Sequence, residues 1–405
     1  MKSIFEFIKQ KKRKIYGGTA LNEVIKLNNP DDAIYDDYKF SDVEFYSPEP
    51  VVDLVELCNK LHNEGYKHVV GQEADHHETY SIFSNFTLYC DITYVPKRVY
   101  VGIQTIIIKE LFYTYPHFML IDYLRMFNDP MNSARRWDKA FHRKYLLLKY
   151  YPIEHHNNPL KLPPLNKTVE KIIEKVKLDY IKKGKQNDII ITGYEAYNFF
   201  VTYAGGQANS EKMARTQKQT SNIEDLLANV EYIELVSVNY KKTVTEIYNY
   251  LKGIVDDKNK LSITEFFPLF QFTNYVTAIK YNEITVVKVY QCDGLCIPQL
   301  KTTSGYMYVT YQYLLMSMLI SKFRAHLDKD KESYFNYSIA ISNLIKIRNI
   351  FLTKNKLGII NDTPFGEFKI GCVGTTVSIK RTSFLRKNQN ILKGKAANSS
   401  LSISL

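Results

Sequence analysis

The sequence predicts an α+β chain of two tandem units, each a mixed sheet flanked by helices, with the second a degenerate copy of the first. Three observations carry this. Within residues 15–47 a glycine pair opens a helix and is followed by a strand of alternating carboxylates. The same succession returns in weakened form: residues 191–198 (ITGYEAYN) echo 15–22 (IYGGTALN), and 232–237 (YIELVS) echo 42–47 (DVEFYS). A length of 405 residues with 45% hydrophobic content suits two cores better than one. The expected divisions are 1–185, 186–378 and a basic tail at 379–405.

Residues 3–14 read as a helix whose basic end, KKRK, brings positive charge to Gly17 and Gly18. Helical spacing then places Ala20, Leu21, Val24 and Ile25 on one face over 19–27, and 28–38 is a polar loop. Successive strand side chains point to opposite faces, so Val43 and Phe45 face a core while Asp42 and Glu44 face away from it. Ser47-Pro48 precedes a helical pattern over 51–61, and 66–70 and 81–87 read as strands. His76 and His77 between them lack a metal-binding spacing and read as loop residues. Residues 86–94, FTLYCDITY, form a strand with Asp91 at its centre. The apolar stretch 101–127 reads as mostly buried helix from near Ile103, breaking at Pro116.

Residues 132–151 interleave Arg135, Arg136, Lys139, Arg143 and Lys144 with Trp137, Phe141 and Tyr145. Cations for a phosphate backbone and a ring for a base suit a nucleic-acid track; a helix with a basic outer face is the competing reading. Four prolines over 152–164 mark a boundary or crossing loop. A cationic amphipathic helix follows over 167–185, with Val169, Ile172, Ile173 and Val176 on one side. In the second unit the echo puts Tyr194 at the place of Gly18 and Tyr232 at that of Asp42, and keeps Glu234. Residues 204–222 are a polar loop and 334–352 a helix.

Two carboxylates on one exposed strand face repel unless a cation sits between them. If the strand of Asp91 is a neighbour, three carboxylates meet beside a glycine turn and a helix N-terminus, whose free amides suit a phosphate. A divalent cation bound to a polyphosphate fits that set.

Tyr16-Gly17-Gly18, Asp42-Val43-Glu44-Phe45 and Asp91 together resemble the nucleotidyltransferase superfamily of DNA polymerase beta, CCA-adding enzymes and poly(A) polymerases. The chain as a whole resembles the poly(A) polymerase catalytic subunit of large cytoplasmic DNA viruses. If the internal echo holds, with Tyr194 and Tyr232 in place of a glycine and an acid, the second nucleotidyltransferase-like domain is catalytically inert. The resemblance implies template-independent addition of AMP from ATP to an RNA 3′ end, with release of pyrophosphate. Asp42, Glu44 and Asp91 would hold one Mg²⁺ or Mn²⁺ and Asp42 and Glu44 a second, while Gly17, Gly18 and Thr19 would hold the phosphates of ATP. A viral source implies the virion or the host cytoplasm. Self-association as a homodimer is an expectation; the related poxvirus enzyme works with a separate processivity subunit. A CCA-adding or oligoadenylate-forming transferase and a non-catalytic RNA-binding scaffold are the alternatives.

The remaining composition bounds the partners. A formal charge of +12 favours a polyanion. No run of eighteen apolar residues predicts a membrane span, and the amino terminus lacks a signal-peptide core. Five scattered cysteines suit free thiols in a reducing compartment.

Overall fold

The protein is described here by a computed structural model covering residues 1–35, 42–164, 166–184, 186–206 and 224–376. The tail at 379–405 and most of the loop at 204–222 lie outside the described residues. The chain divides into two compact units, Met1–Leu120 with His142–Tyr151, and Ile121–Phe141 with Pro152–Thr375. Residues 121–141 and 152–185 group with the second unit by contact.

The elements up to the second unit's sheet are α1 (Lys2–Lys11), β1 (Lys14–Tyr16), α2 (Gly17–Lys26), β2 (Val43–Ser47), α3 (Pro50–Asn63), β3 (Val70–Glu73), β4 (Thr79–Ser84) and β5 (Thr87–Tyr94). They continue with α4 (Lys97–Gly102), β6 (Thr105–Ile108), β7 (Leu111–Thr114), α5 (Pro116–Phe127), α6 (Pro130–Ser133), α7 (Trp137–Tyr150) and α8 (Lys167–Lys175). The first sheet has the order β3-β4-β5-β2-β1-β7-β6. Here β2 runs antiparallel to β1 and parallel to β5, which sets Glu44 directly beside Asp91. Ala20, Leu21, Val24 and Ile25 of α2 are fully buried, as are Ile15, Val43, Phe45 and Ile92 of the sheet, as the apolar spacing predicts.

The basic end of the first helix behaves differently from expectation. α1 stops at Lys11, with Lys12 in the left-handed conformation at φ 51°. Arg13 is 6% exposed, and its guanidinium grips the fully buried Asp53 of α3 at 2.7 and 2.8 Å. Lys14 donates to the carbonyls of Tyr100 and Ile103. Lys11 pairs with Glu56 at 2.5 Å, so three of the four cations are spent on partners within the chain.

The stretch 103–114 is a hairpin, not a helix. Its β-branched run Thr105-Ile106-Ile107-Ile108 favours a strand. Lys109 and Glu110 both sit at positive φ, 49° and 68°, as a tight two-residue hairpin turn requires. Pro116 is the first residue of α5 rather than a break, because a missing N–H costs nothing there. Likewise α8 is continued by a π-helical stretch, Val176–Lys183, and its side carrying Val169, Ile172, Ile173 and Val176 is buried.

The second unit holds β8 (Ile189–Thr192), α9 (Gly193–Gly206), β9 (Ile233–Ser237), α10 (Tyr240–Ile254), β10 (Leu261–Phe266), β11 (Val276–Tyr281) and β12 (Ile284–Gln291). After these come β13 (Ile297–Lys301), β14 (Met307–Val309), α11 (Tyr311–Asp328), α12 (Lys331–Lys354) and β15 (Cys372–Val373). Its sheet order is β10-β11-β12-β9-β8-β14-β13-β15. This is the first sheet strand for strand with one edge strand added. The pairing senses match too: β8–β9 is antiparallel, and β9–β12 and β8–β14 are parallel. The weak sequence echo is a duplication of the whole β-sheet scaffold. The added edge is clipped by a disulfide between Cys296 and Cys372, which corrects the expectation of free thiols for that pair. Cys58, Cys90 and Cys292 are free.

Candidate active site

The β1–α2 turn reverses at Gly17, whose φ of +68° favours glycine, and a second reason lies above it. A Cβ on Gly17 would stand 1.7 Å from Glu44 Oε2. Glu44 reaches into that space, and the Gly18 amide donates to the same oxygen at 3.2 Å. Thr19 Oγ1 donates to the Asp42 carbonyl at 3.1 Å and thereby fixes the start of β2. The Asn22 carboxamide accepts from the Ile34 and Tyr35 amides, both at 3.0 Å. That contact holds Tyr35 over the turn, where its hydroxyl lies 2.2 Å from the Cβ position of Gly18.

The three acids share one electrostatic neighbourhood. Burial first, then repulsion from Asp42 and Asp91, pushes the Glu44 carboxyl up to about 7, against the pull of the Gly18 amide and Arg143. Burial and Asp42 also raise Asp91, while the Ser81 hydroxyl, donating at 2.5 Å, opposes the shift. Negative charge gathered in this way fits a divalent cation. As placed, however, the carboxylates do not converge: among the described residues no three His, Cys, Asp or Glu side chains lie close enough to hold an ion. Glu44 faces the glycine turn instead.

The proposed RNA track separates into different environments. Arg135, Arg136 and Lys139 are exposed. Trp137 is not an open ring, because its Nε1 donates to the Met126 carbonyl at 2.8 Å and its ring stacks on Phe368 at 5.4 Å. Lys144 is 6% exposed and lies off the surface. Arg143 points to the glycine turn: Nη2 donates to the Tyr35 hydroxyl at 2.7 Å, and Nη1 is 3.2 Å from the Cβ position of Gly18. Its place by the turn was not legible in the sequence, since 125 residues separate the two.

The second unit repeats the frame and changes the chemistry. Gly193 has φ +66°, and a Cβ there would lie 1.8 Å from Glu234 Oε2, as Gly17 does to Glu44. Asn198 and Ala228 exchange two 2.8 Å hydrogen bonds, as Asn22 pins its own loop. Opposite Glu234, in the register where Asp91 faces Glu44, stands Lys288. Sequence reading missed it, although a lone Lys in ITVVKVYQ is as conspicuous as the lone Asp in TLYCDITY.

Comparison with known proteins agrees with this arrangement. A family model described as "Poly(A) polymerase catalytic subunit" matches residues 2–133. Another, for the C-terminal part of the APMV putative poly(A) polymerase catalytic subunit, matches residues 167–401. The chain belongs to the viral poly(A) polymerase catalytic-subunit family. It is 50% identical over 409 residues to the putative poly(A) polymerase catalytic subunit of Acanthamoeba polyphaga mimivirus, covering 98% of this chain and 70% of that protein. The counterpart from African swine fever virus is 30% identical over 154 residues, 36% of this chain and 32% of that protein. The crystal structure of the Megavirus polyadenylate synthase superposes with a TM-score of 0.89 at 52% identity, covering 97% of this chain and 76% of that one. The fold is thus that of two mixed α/β sheet domains flanked by helices, and the activity is nucleotidyl transfer of the poly(A) polymerase type. It is a viral protein of the mimivirus and Megavirus type, placed in the virion or the host cytoplasm. Family identity implies metal dependence. No helix among the described residues is long and apolar enough to cross a membrane.

Proposed function

We propose that the first unit transfers AMP from ATP to an RNA 3′ end without a template, and that Asp42, Glu44 and Asp91 are its metal-binding acids. One observation carries the reading: Glu44 and Asp91 are register neighbours on parallel strands, with Asp42 coupled to both, beside a glycine turn. Mg²⁺ or Mn²⁺ bound by these acids would lower the pKa of the 3′ hydroxyl and neutralise the departing pyrophosphate. Asp91 is the acid for orienting the hydroxyl, held in place by Ser81. Gly17, Gly18 and Thr19 would shape the seat for the triphosphate, because they form the amino-terminal turn of α2. Arg143 belongs with this seat rather than with an RNA track, because its guanidinium already lies against Gly18. Arg135, Arg136 and Lys139 remain as exposed cations for the RNA backbone. The second unit, with Tyr232 and Lys288 at the positions of two acids, transfers nothing.

The test is primer extension on an RNA ending in adenosines, with Mg²⁺ or Mn²⁺ and each nucleoside triphosphate separately. Long tails with ATP alone, lost in Asp42→Ala and Asp91→Ala while RNA binding persists, are the expected result. Short additions or equal use of CTP would replace poly(A) synthesis by CCA-type or oligonucleotide transfer. Sedimentation of the same sample reads the expected homodimer.

A further inference from the structure

We propose that the Lys288 ammonium is a built-in cation of the second unit, neutralising Glu234 where the first unit's acids call for a divalent ion. The comparison with a divalent ion rests on the proposed reading of Asp42, Glu44 and Asp91; the pairing of Lys288 with Glu234 rests on the duplicated fold alone.

Four observations carry it. The register that seats Asp91 beside Glu44 seats Lys288 beside Glu234, so an anion has been exchanged for a cation at one point of a shared scaffold. Glu234 is only 7% exposed, and its carboxylate is retained against Gly193 with the Tyr290 hydroxyl donating at 2.6 Å. A buried carboxylate demands a nearby positive charge or a proton. The place of Asp42 is taken by Tyr232, and the Lys288 Nζ stands 4.0 Å from the centre of that ring, a geometry in which an aromatic face stabilises an ammonium. Both acidic positions around Glu234 have therefore been rebuilt to accept or supply one organic cation. Burial works against the charged lysine and lowers its pKa, as does Arg324, while Glu234 and Glu231 favour the charged form.

The space left over agrees. The cavity beside Gly193, lined by Thr192, Tyr194, Glu234, Arg324 and Tyr337 among others, has a volume of about 60 Å³. That holds a few waters. Pockets for nucleotide-sized ligands begin at about 300 Å³. The second unit thus keeps the frame of a nucleotide site, with its charge balanced from within, and folds without an ion there.

A double-mutant cycle on the full chain tests this, read by thermal unfolding in EDTA. Lys288→Met should lower the second unit's unfolding midpoint by roughly 6 °C or more, the scale expected when one partner of a buried charge pair is removed. Adding Glu234→Gln to that variant should recover more than half of the loss, because the neutral amide no longer needs the ammonium. A Lys288→Met midpoint equal to that of the wild type would overturn the proposal, and so would losses in the double variant that equal the sum of the two singles. Should Lys288→Met fail to fold, a folded Glu234→Gln/Lys288→Met chain supports the pairing and an unfolded one refutes it. No activity is read, so failure of the cycle is distinct from failure of the transferase assignment.

Discussion

If Glu44 is one of the metal-binding acids, as proposed, divalent-cation binding depends on pH, and the size of the dependence can be worked out. Its carboxyl is held up to about 7 from an ordinary 4.5 by burial and by Asp42 and Asp91. A carboxyl raised in the folded state binds its proton more tightly there than in the unfolded chain. The stability linked to it is in place below about pH 4.5 and is lost as pH rises to about 7, by about 3 kcal/mol at 1.36 kcal/mol per unit. A cation competes with that proton. With a pKa of about 7 the carboxylate is about one-tenth ionised at pH 6 and nine-tenths at pH 8, so apparent Mn²⁺ affinity should rise about tenfold between them. Isothermal titration of the full chain with MnCl₂ at both pH values measures it directly. Glu44→Gln should bind more weakly and with a shallower pH dependence. Affinity that is flat or falls from pH 6 to pH 8 would show that the proton on Glu44 and the cation do not share a site.

Three further outcomes follow from particular contacts. Gly17→Ala puts a methyl group 1.7 Å from Glu44 Oε2 at φ +68°, and Gly193→Ala does the same to Glu234. Each should cost only about 1–2 kcal/mol in denaturant unfolding, since the struck atom is the end of a flexible side chain. Gly17→Ala should nevertheless lower primer extension at least about 100-fold, and Gly193→Ala should leave it within a few-fold. Arg143→Ala should raise the KM for ATP about tenfold or more, the scale of a lost charge-assisted hydrogen bond, with RNA affinity within about twofold in a filter-binding assay. Asp53→Ala removes two hydrogen bonds from the buried Arg13 guanidinium, which keeps Glu49 as a partner, and should destabilise the first unit by about 2–3 kcal/mol in urea unfolding.

Much of this site was legible in the sequence because it is built from local patterns. A glycine pair, a period-two strand and a lone acid in an apolar strand each announce themselves within a few residues, and the structure sets Glu44 beside Asp91 as the strand reading required. The helices α2, α3 and α12 were legible for the same reason, since an apolar face repeating at helical spacing needs no knowledge of its partner. What failed was non-local or lay where two local patterns coincide. The run from Ile106 to Ile108 is apolar enough for a buried helix and β-branched enough for a strand, and only the pair of left-handed residues after it decides. Arg13 and Lys144 read as surface cations because charge predicts exposure, and only tertiary contact shows that both are buried. The Cys296–Cys372 pairing spans 76 residues and rests on an edge strand of two residues that has no sequence signal.

The duplication also separates what Glu44 does for the fold from what it does for chemistry. Gly193 and Glu234 keep the same close contact in a unit that has lost the other two acids. The contact therefore does not depend on a metal set, and its structural reason is visible in the first unit: a carboxylate at the start of α2 takes up the Gly18 amide and faces the positive end of the helix dipole. Glu44 lies within reach of that amide and of the charges of Asp42 and Asp91; burial first and then the two acids raise its pKa, against the pull of the amide. Were Glu44 to turn toward the other two acids, the Gly18 amide would be freed beside Arg143 as a donor for a phosphate oxygen. The same side-chain movement would thus complete the acid set and open the phosphate seat. A methyl group on Gly17 would hold Glu44 out of its resting position, and on this reasoning it should disturb catalysis far more than folding.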